Sequence, residues 1–61
     1  MNRYDKARLK TQIFEVIGAV IDVEELRFKS TNDEDEKVLT NFVMDAHTLI
    51  GNLAEHFKIE L

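Results

Sequence analysis

The sequence has no cysteine and no proline, and its only glycines are Gly18 and Gly51. Without cysteine the chain can form neither a disulfide nor a thiolate zinc site. Proline and glycine are the residues that most often interrupt helices and build turns. Their scarcity therefore favours long uninterrupted helices and disfavours an all-β fold, which needs many turns.

The chain has 61 residues, which is enough for one domain at most. A single core of this size rarely supplies more than about 3–5 kcal/mol of stability. Small proteins usually add disulfides, a bound metal or self-association. Because cysteine is absent and His47 and His56 are the only histidines, self-association is the expected remedy.

The formal net charge is −4, with 44% hydrophobic and 33% charged residues. This balance is typical of a globular chain rather than a disordered one. An acidic net charge disfavours a protein whose main ligand is a phosphate backbone. The first residues are polar and charged and do not resemble a signal peptide, so we expect a cytoplasmic location and no membrane contact.

The segment IFEVIGAVIDV, residues 13–23, is rich in isoleucine and valine. It is too short for a membrane-spanning helix, which needs about 20 apolar residues, and Glu15 and Asp22 interrupt it. A half-buried strand is also disfavoured, because the adjacent pairs Val16-Ile17 and Val20-Ile21 do not alternate. The apolar residues instead follow three- and four-residue steps in one row, Leu9, Ile13, Val16, Val20 and Val23. A second row lies beside it and consists of Phe14, Ile17, Ile21 and Phe28.

These rows predict a first helix over about residues 3–28. Asn2 is its predicted N-cap, and Asp5 in the first turn complements the helix dipole. Residues 29–32 are the predicted turn, because serine, threonine and asparagine compete with the backbone for hydrogen bonds.

The pattern of a second helix covers about residues 33–58. Thr31 followed by Glu34 has the spacing of a capping box, and the carboxylates of residues 33–36 suit a first helical turn. The main apolar row is Leu39, Phe42, Ala46, Leu49 and Leu53, and Val38, Val43, Ile50, Ala54 and Phe57 widen it.

Each helix carries an apolar arc of roughly 160–180°, which is about twice the width that one antiparallel neighbour covers. We therefore predict an all-α fold, a single antiparallel helical hairpin that dimerises into a four-helix bundle. An antiparallel dimer would bring the basic start of one first helix beside the partner's acidic residues 33–36. The predicted core and dimer interface consists of Leu9, Ile13, Phe14, Val16, Ile17, Val20, Ile21, Val23, Leu39, Phe42, Leu49, Ile50, Leu53 and Phe57.

The sequence offers no recognisable catalytic or ligand-binding pattern. Ser30, its only serine, lies in the predicted turn, and there is no glycine-rich phosphate loop. The Glu-x-x-His spacing of di-iron bundles is absent, since Glu55 and His56 are adjacent and Asp45 and His47 are two apart. We expect no enzymatic activity, no catalytic or metal-ligating residues, no cofactor and no small-molecule substrate.

The start of the first helix carries a basic cluster with one aromatic residue, Arg3, Tyr4, Lys6, Arg8 and Lys10. This cluster could contact phosphates, with Tyr4 stacking on a base. It could also contact a partner protein, and the favoured interpretation is a solvated helix start that balances the acidic residues of a second subunit. We predict a small, acidic, homodimeric regulator or adaptor that binds another protein, and we retain RNA binding through the basic N-terminal end as the alternative.

In layout the chain resembles the plasmid repressor-of-primer family, whose members are helical hairpins of similar length that form antiparallel four-helix bundles. The resemblance covers the whole chain and is architectural. It implies RNA binding by polar, basic and aromatic side chains on the first helices. Arg3, Lys10 and Phe14, which lie along one side of the first predicted helix, are the matching positions.

Overall fold

The structure, a computed structural model, describes all 61 residues. It consists of two helices, α1 (Arg3–Lys29) and α2 (Asp33–Phe57), packed side by side as a hairpin with extents of 45 × 16 × 12 Å. The predicted all-helical hairpin is confirmed. The observed helices differ from the predicted ranges by one residue at each C-terminal end. Neither helix contains a segment long and apolar enough to cross a membrane.

The start of α1 follows the predicted capping arrangement. The Asn2 side-chain oxygen accepts a hydrogen bond from the Asp5 backbone N–H at 2.8 Å, which satisfies one of the donors that a helix start leaves free. Arg27 and Lys29 lie in the last turn, where the helix dipole favours positive charge.

A three-residue connection, residues 30–32, joins the helices. The Ser30 backbone N–H donates to the Arg27 carbonyl at 3.2 Å, and the Ser30 hydroxyl lies 3.1 Å from the Asn32 carbonyl, to which it donates. Ser30 therefore has a local structural role, which closes α1 and orders the turn.

The start of α2 differs from the sequence-based expectation. Its N-cap is Asn32, whose side-chain oxygen accepts from the backbone N–H groups of Glu34 and Asp35 at 2.8 and 3.2 Å. The predicted capping box of Thr31 and Glu34 is wrong. Asparagine is a stronger N-cap than threonine, and here it is one residue closer to the apolar pattern of α2.

The contact between the helices is a narrow seam. Its centre is formed by the four buried residues Ile13, Val20, Val43 and Ala54. The other apolar members of the seam are half-buried, namely Leu9, Ile17, Val23, Leu39, Ala46, Ile50, Phe57 and Ile59. Only 4 of 61 residues are buried, so the single hairpin has a very small core.

On α2 the seam includes four of the five residues that are predicted only to widen the apolar row, namely Val43, Ile50, Ala54 and Phe57. Of the predicted main row, only Leu39 and Ala46 lie in the seam. Phe42, Leu49 and Leu53 of the predicted main row are exposed. The seam on α2 thus combines small and large side chains, and three large ones, Phe42, Leu49 and Leu53, lie beside the contact.

The end of α2 turns back toward the start of α1. Lys58 adopts the left-handed conformation (φ 55°, ψ 50°), and the Ile59 N–H donates to the Ala54 carbonyl at 2.8 Å. This is a Schellman-type helix ending. It leaves the Ile59 side chain half-buried.

Replacing Asn32 by alanine should lower the free energy of unfolding by about 0.5–2 kcal/mol, because two backbone N–H groups of α2 lose their acceptor. Thr31→Ala is the matched control and should change it by less than about 0.5 kcal/mol. Urea unfolding followed by circular dichroism measures both. A larger loss in Thr31→Ala than in Asn32→Ala would contradict the observed cap.

Candidate interaction surfaces

One side of the seam carries a continuous exposed apolar surface, which we call the broad face. Both helices contribute to it, and its exposed members are Val16, Val38, Phe42, Leu49 and Leu53. Val16 is 49%, Phe42 53% and Leu49 67% exposed. Soluble monomers rarely leave a large contiguous apolar patch uncovered, and such patches usually mark interaction sites.

An open groove of about 170 Å³ runs between the helices within the broad face. Its lining is apolar except for one glutamine, and consists of Leu9, Gln12, Ile13, Val16, Leu49, Ile50 and Leu53. Helical spacing extends the same side along α2, because Phe42 is seven residues before Leu49 and Val38 is four residues before Phe42. The broad face therefore covers most of the length of the hairpin.

A second apolar surface lies on the other side of the seam and belongs to α1 alone. We call it the outer stripe. It consists of Phe14, Ile21 and Phe28, which are 49%, 52% and 76% exposed. Phe14 lies two residues before Val16, which places the two side chains about 160° apart around the helix. The outer stripe and the broad face are therefore separate surfaces.

The basic cluster predicted from the sequence lies at the open end of the hairpin, opposite the turn. All of its members except Lys6 are exposed, and Lys6 is half-buried. The Arg8 guanidinium lies 5.8 Å from the centre of the Tyr4 ring, and the Lys10 ammonium lies 5.9 Å from the centre of the Phe14 ring. Cation–π contacts of this length at exposed sites stabilise a side-chain arrangement by about 0.5–1 kcal/mol.

A cation outside the predicted cluster, Lys58, also lies at this end. Lys58 joins Lys6 and Lys10 around a shallow depression, which is also lined by Ala7, Ile59 and Glu60. We call these three lysines together with Arg3, Tyr4 and Arg8 the basic end. A hairpin places the end of α2 beside the start of α1, so the predicted topology could have indicated that Lys58 lies near the basic cluster. The left-handed conformation that positions Lys58 could not be predicted, because it depends on the folded backbone.

The predicted core and dimer positions separate into two groups. The structure places Leu9, Ile13, Ile17, Val20, Val23, Leu39, Ile50 and Phe57 in the seam, and leaves Phe14, Val16, Ile21, Phe42, Leu49 and Leu53 exposed. Val43 and Ala54 are absent from the predicted interface, yet both are buried. Their positions in the widened row were the signal that could have identified them.

Both histidines are exposed. The His56 ring contacts the neighbouring Phe57 ring edge-on, with centroids 4.7 Å apart. No group of three or more histidine and carboxylate side chains is arranged to hold a metal ion, and no polar or charged residue is buried. The polar groups of this chain thus all lie at or near its surface.

Comparisons with protein-family models, curated proteins and solved structures find no match to this chain.

Proposed function

We propose that this chain is a non-enzymatic homodimer that acts as a regulator or adaptor by binding another protein. The broad face is the observation that carries the proposal. A hairpin whose core contains 4 buried residues has little stability of its own. A second hairpin placed on the broad face would complete a four-helix bundle core.

The free energy gained by covering the broad face comes from the burial of its exposed apolar side chains. Complete burial of a valine, leucine or phenylalanine side chain contributes about 1.5–3 kcal/mol, so side chains already half covered would contribute roughly 1 kcal/mol each. Val16, Phe42 and Leu49 are all near this half-covered state. The contact would also remove the exposed groove between the helices.

An antiparallel two-fold arrangement suits the charge distribution. The basic end lies at one extremity of the hairpin, and the carboxylates of Asp33–Glu36 lie in the first turn of α2 at the other. Reversing one copy brings opposite charges together at both extremities of the dimer. Exposed pairs contribute only about 0–1 kcal/mol each, so they would select the orientation and apolar burial would supply the stability.

We assign the partner-protein contact to the basic end, because a dimer formed through the broad face would present one such end at each extremity. Arginine and tyrosine are favoured in protein interfaces, and Tyr4 is 70% exposed. The half-buried Ile59 beside Lys6 and Lys10 adds an apolar element. An acidic protein surface with an exposed apolar side chain is the complementary partner.

RNA binding is the second candidate. It is favoured by the grouping of Lys6, Lys10 and Lys58 around one depression, since clustered cations bind phosphates and Tyr4 could stack on a base. Glu60 in the same depression and the net charge of −4 weigh against it. We therefore rank it below protein binding.

Replacing Leu49 by aspartate should abolish dimer formation at micromolar concentration, with at least about 100-fold weaker association, because the contact would bury an unpaired carboxylate. Light scattering after size exclusion measures the mass. Met44→Asp is the matched control, since Met44 is similarly exposed (61%) but lies outside the broad face, and it should stay dimeric. A wild-type monomer under these conditions would refute the homodimer.

The orientation can be tested with single cysteines, because the natural chain has none. In an antiparallel dimer α1 lies against its own copy, and the two-fold axis passes near Val16, the middle of α1. Val16→Cys should therefore link to itself through a disulfide or a short thiol crosslinker, whereas outward-facing Glu15→Cys should not. A link that forms only between Val16→Cys and Leu49→Cys chains would indicate parallel hairpins instead.

Charge reversal of Arg3, Lys6, Arg8 and Lys10 to glutamate should abolish capture of a specific protein from the host, because the basic end would lose its attraction for an acidic surface. Reversal of Lys29 and Lys37, which lie near the turn, is the matched control and should preserve capture. Gel shifts with hairpin RNA and duplex DNA at about 50 and about 200 mM salt test the second candidate. Salt-sensitive binding lost in the basic-end variant would favour RNA binding over protein binding.

A further inference from the structure

The outer stripe remains open in the proposed dimer, because it lies on the side of the seam opposite the broad face. Its members are spaced by seven residues, which places one large apolar side chain on the same side of α1 every two turns. Strict seven-residue spacing along one helix is typical of a surface that packs against another helix. The stripe therefore needs an occupant of its own.

The residues along this side of α1 are arranged symmetrically about a point between Ile17 and Gly18, just past the middle of the helix. Phe14 and Ile21 are equally far from that point, and so are Lys10 and Glu25, which carry opposite charges. In a two-fold contact between identical helices, each pair of residues occurs twice, once on either side of the axis. An antiparallel copy of α1 would thus place Phe14 against Ile21, and Lys10 against Glu25, on both sides of the axis.

The next pair outward is also complementary, in size rather than in charge. Ala7 and Phe28 are equally far from the same point, and Phe28 is 76% exposed. The large ring would lie over the small side chain of the opposing helix, as facing helices pack most closely when large and small residues alternate. Arg27 lies 5.1 Å from the centre of the Phe28 ring and holds that ring at the helix surface.

Gly18 occupies the centre of this arrangement. No atom of another part of the chain lies within 4 Å of the position that a Cβ would take there, so packing within the hairpin does not require a glycine. Glycine in a helix interior costs about 0.5–1 kcal/mol relative to alanine. The bare backbone between Phe14 and Ile21 leaves room for a close approach by an opposing helix.

We propose that the outer stripe binds the outer stripe of another copy, with the two α1 helices antiparallel about Gly18. The occupant is a second copy rather than an unrelated helix, because the stripe is complementary to itself when one copy is reversed. Lys10 then faces Glu25, and Ala7 faces Phe28. The contact goes beyond the proposed homodimer. It would join dimers into assemblies of four or more copies, and because it is narrower than the broad face it forms at higher concentration.

Sedimentation analysis from micromolar to millimolar concentration tests this contact. The mass of the wild-type chain should rise from two copies toward four or more. Ile21→Asp should remain at two copies throughout, and Met44→Asp should behave like the wild type; circular dichroism confirms that both variants are helical. A wild-type mass that stays at two copies, or an unchanged mass in Ile21→Asp, would overturn the proposal.

A charge swap tests the symmetric pairing itself. Lys10→Glu and Glu25→Lys alone should each weaken the higher assembly roughly tenfold, because each pair occurs twice in the contact. The double variant should restore the wild-type association. Failure of the double variant to recover would reject the proposed register.

The proposed contacts through the broad face and through the outer stripe can be disproved independently. Leu49→Asp should still pair through the stripe at high concentration, and the Ile21→Asp, Leu49→Asp double variant should be monomeric. If Ile21→Asp alone is monomeric while Leu49→Asp keeps the wild-type mass, the stripe contact holds and the broad-face dimer is wrong.

Discussion

The geometry of this protein follows from one constraint, which is that each helix of a hairpin has only one neighbour. One neighbour covers a narrow seam, and here that seam contains the four buried residues Ile13, Val20, Val43 and Ala54. The apolar arcs of both helices are wider than the seam. The surplus remains on the surface, and its distribution on the two sides of the seam determines which contacts the hairpin can make.

The apolar surface that the seam leaves uncovered differs between its two sides, and this asymmetry gives the hairpin two different apolar surfaces. On one side both helices contribute large side chains and an open groove lies between them. On the other side α1 contributes Phe14, Ile21 and Phe28, while α2 contributes polar and small residues such as His47 and Gly51 and one large exposed apolar side chain, Met44. A broad surface built by two helices suits a bundle contact, and a stripe built by one helix suits a contact between two helices only.

The helices and the turn could be predicted from the sequence because their signals are local. Asn2 caps α1 as expected, and the polar connection separates two periodic segments. The cap of α2 was harder to assign, because Thr31 and Asn32 are adjacent and both are capping residues. Their competition is decided by backbone geometry, in which the Asn32 side chain reaches the N–H groups of both Glu34 and Asp35.

The position of the seam on α2 could not be read from periodicity alone, because two neighbouring rows have equally good helical spacing. Packing against α1 distinguishes them. At the centre of the seam, Ile13 and Val20 of α1 are buried together with Val43 and Ala54 of α2, whose side chains are small enough for a close approach of the helices. Phe42, Leu49 and Leu53 stay exposed, in positions where a second molecule can contact them.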